Sequence, residues 1–261
     1  MNIIVLIKQV PDTTDVKIDP KTNTLKREGV ASVINPFDMY AIEEAVRVKE
    51  QFGGKVTVIS MGPPQAEQAL RESISLGCDN AILLSDRKFA GSDTWATSYV
   101  LSQAIKKVGE YDIIFCGKQA SDGDTAQVGP GVSTHLDIAQ VTYVKKIEKI
   151  EDNKAIVERM TEEGFDIIEV LLPSVLTVVK EINEPRLPSL KGKMRSKKAE
   201  IQVWNALDIE CDESKIGLDG SPTRVVKIFS PPAREKGCIF EGEPEEVVEK
   251  IVDVVKNIII G

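Results

Sequence analysis

Ile113-Ile114-Phe115-Cys116-Gly117-Lys118-Gln119-Ala120-Ser121-Asp122-Gly123-Asp124-Thr125-Ala126-Gln127-Val128-Gly129-Pro130 decides the fold class. Four apolar residues in succession suit a parallel strand that is covered on both faces. The glycines, small hydroxyl residues and single lysine that follow suit a turn whose backbone N–H groups approach phosphate oxygens, with the next helix offering its positive end. The spacing is neither Gly-x-Gly-x-x-Gly nor the Walker pattern. From local pattern alone, an ordinary strand-to-helix connection using Gly and Asp for turn conformations is an equal reading.

The surroundings favour the first reading. Apolar runs of strand length recur at Ile3 to Ile7, Val56 to Ile59, Ala81 to Leu84 and Val175 to Val179, with segments of helical composition between most of them. This alternation predicts an α/β domain with a parallel sheet, Rossmann-like in class. One helix is expected over Asp38 to Gln51, with apolar positions at Ala41, Ile42, Ala45, Val46 and Val48 and a stop at Gly53-Gly54. Pro63-Pro64 opens a second, which runs to Gly77. A third begins between Asp124 and Pro130 and ends near Asp137, because Pro130 is tolerated only in a first turn or at a kink. Val141 to Ile150, Ala155 to Met160 and Phe165 to Leu172 read as antiparallel additions joined by polar turns such as Glu162-Glu163-Gly164.

The character changes after Asn183-Glu184-Pro185-Arg186. Periodicity is weak from there to about Pro232, and an apolar helical stripe returns only over Pro244 to Ile260. Residues 1–185 therefore read as the nucleotide-binding domain and 186–261 as an extended arm with a terminal helix, laid along another subunit.

With 261 residues, 42% hydrophobic and 28% charged, the chain can bury one substantial core. A net charge of −8 argues against a nucleic-acid binder. The basic run Lys191, Lys193, Arg195, Lys197 and Lys198 reads as a solvated face, or as a surface for an acidic partner. Cys78, Cys116, Cys211 and Cys238 lack a Cys-x-x-Cys pair and read as reduced cytoplasmic thiols. No run approaches the ~18 to 20 apolar residues that span a bilayer.

Residues suited to side-chain catalysis are sparse. His135, the single histidine, has no metal-ligand companion at suitable spacing and reads as structural or solvent-facing. Gly131-Val132-Ser133-Thr134 is not a nucleophile elbow. Asp122 and Asp124 could bind a metal, but flanking glycine before a helix they read first as caps. Lys118 could neutralise a phosphate. Lys8-Gln9-Val10-Pro11 and Ser60-Met61-Gly62-Pro63 follow the first two strands, and Asn35-Pro36-Phe37-Asp38 precedes the first long helix. All belong with the Gly117 loop at the carboxyl ends of the strands, where parallel sheets bind ligands. Asn35-Pro36-Phe37-Asp38 also reads as a plain helix start with a hydrophobic staple.

These same segments, with Glu43-Glu44-Ala45-Val46-Arg47, resemble the β subunit of electron-transfer flavoprotein along essentially the whole chain. A second signature of that family is similar to Val157 through Gly164, continuing to Pro173-Ser174-Val175-Leu176-Thr177. Asp166 departs from it conservatively, where Glu or Gln is usual. The resemblance implies an adenine nucleotide α-hydrolase-like fold and a heterodimer with an α subunit that carries its own FAD. Asp122 through Pro130, Ser85-Asp86-Arg87 and Gly91 through Ser98 look like the anaerobic, electron-bifurcating branch, in which the β site holds FAD; in housekeeping members it holds AMP. The implied reaction is hydride transfer from NADH, with one electron passed to ferredoxin or flavodoxin and one through the α-subunit FAD to an acyl-CoA dehydrogenase. No side chain need move a proton.

Carried over by position, the resemblance implies nucleotide contacts from Leu6, Asn35, Pro36, Phe37, Asp38, Met61, Gly117, Lys118, Gln119, Ala120, Ser121, Asp122, Gly123, Asp124, Thr125, Ala126, Gln127 and Val128. Lys118 and the loop N–H groups would face a pyrophosphate, Asn35 and Asp38 the adenosine, Met61 its apolar face, and Asp93 and Thr94 the flavin or nicotinamide. Arg186 through Met194 resembles the loop that grips the dehydrogenase, with Leu190 as its apolar anchor. Two other functions stay open: a simple electron carrier with structural AMP, and a nucleotide-binding regulatory module with no redox partner.

Overall fold

Ile3, Val5 and Ile7 enter one hydrophobic core and Ile4 and Leu6 another, so the first strand is buried on both faces. A continuous apolar run is what such a strand requires. The computed structural model describes residues 1–12, 32–226, 237 and 239–260. Its elements in chain order are β1 (Asn2–Ile7), β2 (Gln9–Pro11), β3 (Ser32–Ile34), α1 (Pro36–Phe52), β4 (Lys55–Met61), α2 (Glu67–Leu76), β5 (Asn80–Leu84), α3 (Thr94–Val108), β6 (Ile113–Gly117), α4 (Val128–Leu136), β7 (Ala139–Glu151), β8 (Lys154–Met160), β9 (Phe165–Leu171), β10 (Ser174–Val178), α5 (Leu190–Lys198), β11 (Gln202–Trp204) and α6 (Pro244–Ile260).

Nine strands form one sheet in the order β11-β5-β4-β1-β6-β10-β7-β8-β9. Pairing is parallel from β11 through β7 and antiparallel from β7 to β9. Side chains of α1 and α2 fill the core on one face, and those of α3 and α4 the core on the other. The expected strands, the antiparallel additions and the parallel α/β class are all present. A short hairpin of β2 and β3 stands apart from the large sheet.

The arm is the main difference. The described chain forms two compact units, Met1–Val226 and Lys227–Gly261. The break therefore lies some forty residues beyond the expected boundary at 186. Residues 186–226 build onto the sheet unit: β11 pairs in parallel with β5, and Ala206, Ile209 and Ile216 are buried in the α3-side core. The second unit contains α6, on which Val248, Ile251, Val252, Val254 and Val255 are exposed within that unit. Cys238 lies outside the described residues.

Candidate nucleotide site at the strand ends

The sheet order reverses around β1. The chain proceeds from β1 to β4 and β5 on one side and returns with β6 on the other, which leaves the C-terminal ends of β1, β4 and β6 around a crevice. The N-terminal turn of α1 is wedged against this point. Asp38 Oδ2 accepts from the Lys8 backbone N–H at 2.7 Å, and its Oδ1 accepts from the Gly117 N–H at 3.0 Å. One carboxylate thus joins the ends of β1 and β6. Asn35 works on the loop in the same way: its Oδ1 accepts from the Ser121 N–H at 3.0 Å and its Nδ2 donates to the Gln119 carbonyl at 2.9 Å.

Close packing explains the glycine that ends β6. A Cβ on Gly117 would lie 2.6 Å from both Asp38 Oδ1 and Phe37 Cβ. Gly117 admits the helix; its neighbour in the loop, Gly123, has open space around it. The roles expected for Asn35 and Asp38 change accordingly. Both are buried, and the hydrogen bonds expected to reach an adenosine are made to the chain itself.

Beyond Ser121 the loop is held by charge. Lys8 Nζ lies 2.6 Å from Asp122 Oδ1, and the Gln119 side-chain amide donates to Asp124. Neither aspartate caps α4, whose N-cap is Gln127 with no side-chain cap bond. The capping expectation was drawn from residue type, and here the two carboxylates find side-chain partners instead. Pro130 sits in the first turn of α4, as its missing N–H requires. Asp124 and Ala126 both adopt left-handed backbone, with φ of 53° and 54°. Among the described residues, no acceptor takes the N–H of Gln119, Ala120, Asp122, Thr125 or Ala126.

Lys118 sits over two aromatic rings. Its Nζ lies 5.0 Å from the Phe37 ring centre and 5.4 Å from that of Tyr143, a cation held over two aromatic faces. Tyr143 owes its place to a bulge in β7, where the register with β10 shifts and the residue takes φ of 59°. Nothing in the alternation of Val141 to Ile150 announces that bulge. Of the remaining expected contacts, Leu6 is buried in the α3-side core, while Met61 lines a cleft of about 190 Å³ with Lys8, Val10, Gly62 and Asp122. Lys8, in the strand-end segment expected to belong with this loop, is absent from the contacts carried over by position, yet its side chain lines this cleft and reaches Asp122.

Burial dominates the electrostatics. Desolvation pushes Asp38 up to about 7, against the opposing hydrogen bonds from Lys8, Asn35 and Gly117. Burial also raises the Cys116 and Cys78 thiols far above their usual range, so both are inert. His135 packs 4.2 Å from Trp95 and 5.6 Å from Tyr99 between ring centres, and desolvation lowers its pKa. Its structural reading fits this packing. Asp93 accepts from Trp95 and Ala96 at the start of α3 and from the Thr223 N–H and hydroxyl. It therefore joins α3 to residue 223. Among the described residues, no group of three or more His, Cys, Asp or Glu could hold a metal, and no helix is long and apolar enough to cross a membrane.

Leu190 opens α5 and is 78% exposed beside Leu187 and Met194. The helix is fastened by guanidinium groups. Arg71 donates to the carbonyls of Ser196 and Ala199, and Arg195 to those of Ile74 and Cys78. Arg186, just upstream, bridges Glu43 and Glu50 on α1.

The sheet order, with the loop across its reversal point, defines a Rossmann-like α/β protein. A family model for the electron transfer flavoprotein domain matches residues 22–209. An electron transfer flavoprotein subunit beta of Thermoanaerobacterium thermosaccharolyticum is 57% identical over 254 residues, covering 97% of each chain. Subunit CarD of the caffeyl-CoA reductase-Etf complex of Acetobacterium woodii is 50% identical over 259 residues and 98% of each chain. Protein FixA of Sinorhizobium fredii is 46% identical over 264 residues, covering 98% of this chain and 91% of its own. The chain belongs to the electron transfer flavoprotein family, as a β subunit. It therefore works in electron transfer beside an α subunit.

Proposed function

We propose that the crevice at the ends of β1, β4 and β6 holds a FAD, that NADH is the electron donor, and that this heterodimer bifurcates electrons. One electron passes to ferredoxin or flavodoxin, and the other through the α-subunit FAD to an acyl-CoA dehydrogenase. The observation that carries the nucleotide site is the set of N–H groups at Gln119, Ala120, Asp122, Thr125 and Ala126 that have no acceptor among the described residues, in a loop held over the strand ends by Asn35 and Lys8. That donor set fits the phosphates of a dinucleotide, and Met61 supplies an apolar wall. Bound there, the flavin supplies two-electron acceptance and one-electron release.

The chain's own part is to bind, orient and fix. Asn35 fixes the loop carbonyl and N–H on either side of Ala120, and Asp38 fixes the strand ends beneath it. The bifurcating reading, over a simple carrier with AMP, is supported by the resemblance of residues 85–98 and 122–130. The name of the Acetobacterium woodii relative places that protein in a caffeyl-CoA reductase-Etf complex, which favours an enzyme acting on a CoA thioester as the partner here. Leu190, with Leu187 and Met194 beside it and lysines around it, suits a docking patch for an acidic partner surface. Buried, unpaired Cys78 and Cys116 suit a reducing, cytoplasmic setting.

The deciding experiment denatures the purified heterodimer and counts the FAD and AMP released. Two FAD and little AMP support the reading. One FAD with one AMP replaces it with the simple carrier, and no nucleotide in the β site rejects both.

A further inference from the structure

A loop that receives phosphate should not carry an uncompensated carboxylate among its donors, yet Asp122 lies in the middle of this one. The structure resolves the conflict through Lys8. The Asp122 side chain is turned inward, only 16% exposed, while Lys8 is 47% exposed and reaches it at 2.6 Å. An ammonium has three N–H donors, and Asp122 accepts the one side-chain hydrogen bond that Lys8 makes among the described residues. The root of the lysine is fixed, because its backbone N–H donates to buried Asp38, so only its side chain is free to turn.

Lys8 is also the one cation among the described residues that line the cleft beside Met61 and Gly62. Lys118, the lysine inside the loop, is drawn aside over Phe37 and Tyr143. We propose that Lys8 is a phosphate-binding side chain of the nucleotide site, and that Asp122 is its counter-ion until the phosphoryl group of an adenine nucleotide takes the carboxylate's place. This rests on the nucleotide-site reading above and assigns its principal cation to the first strand end. The exchange keeps the ammonium paired in both states. The loop carboxylate is released outward when the ligand enters.

The test uses the heterodimer with its α subunit, freed of the β-site nucleotide, and titration calorimetry with AMP, ADP and adenosine. Lys8→Gln should weaken AMP and ADP by about fivefold, and Asp122→Asn should tighten them by about threefold, the size expected of a partly exposed ion pair. Adenosine should be unaffected by either change. Asp122→Asn should bring no gain in the Lys8→Gln background, and Lys8→Arg should retain most of the wild-type affinity. If both single substitutions weaken all three ligands alike, the pair only holds the loop and the proposal is wrong. Unchanged AMP and ADP binding in Lys8→Gln also overturns it. Wild-type protein that binds none of the three removes the nucleotide site itself, and the proposal with it.

Discussion

Asp38 is a carboxylate at the third position of a helix, buried, with a backbone N–H on each oxygen. Hydrogen bonding favours its charged form and desolvation its neutral form, and desolvation wins. With the folded value near 7 and the ordinary value at 3.8, the folded chain keeps a proton that the unfolded chain has released. The stabilisation from this group is complete below about pH 4 and is lost as pH rises to about 7. Asp38→Asn should flatten that part of the stability profile in urea titrations. It should also lower stability near pH 5, because one of the two N–H groups loses its acceptor, at roughly 1–3 kcal/mol. Asn35→Ala removes two bonds to the loop. Amide exchange at Ser121, whose N–H loses its acceptor, should rise sharply while β6 stays protected.

At the scale of elements, what was legible followed from periodicity. Both-face burial makes β1 and β6 continuous apolar runs, and the stripe from Ala41 to Val48 is buried as expected. The start of α2 was legible in Pro63-Pro64, although a short 3₁₀ turn precedes the helix. α5 was invisible for a physical reason. Leu190 to Lys198 has no buried residue, and it is placed by Arg71 and Arg195 reaching across from or to α2. β11 is three residues long and is defined by the edge it joins. At the site, the strand-end segments were legible as residue types, but the partners of Asn35, Asp38 and Lys118 depend on contacts far apart in sequence. Gly192 tests the seat of α5. In an isolated helix, Gly→Ala gains about 1 kcal/mol, but here a Cβ would collide with the Ser75 carbonyl oxygen. Gly192→Ala should therefore loosen α5 from α2, seen as faster proteolysis between Arg186 and Lys198.

At the scale of the whole molecule, partner contact and nucleotide binding are assigned to separate parts of one unit, so they should be separable by mutation. Leu190→Ala should weaken docking of an acyl-CoA dehydrogenase roughly tenfold, the effect of losing an anchor side chain. Nucleotide content should remain at the wild-type level. Added salt should slow association in the wild type, because the patch is ringed by lysines.

The sheet's two borders differ. On one, the segment expected to be a loose arm adds β11 beside β5, so the border there is a strand of only three residues. On the other, β9 pairs only with β8 among the described residues, and Phe165, Ile167 and Leu171 form an exposed apolar row along it. An open border of this kind invites other strands. The longer and more apolar of the two open edges is thus the one at β9, the flank on which an isolated β subunit would first pair with a second chain.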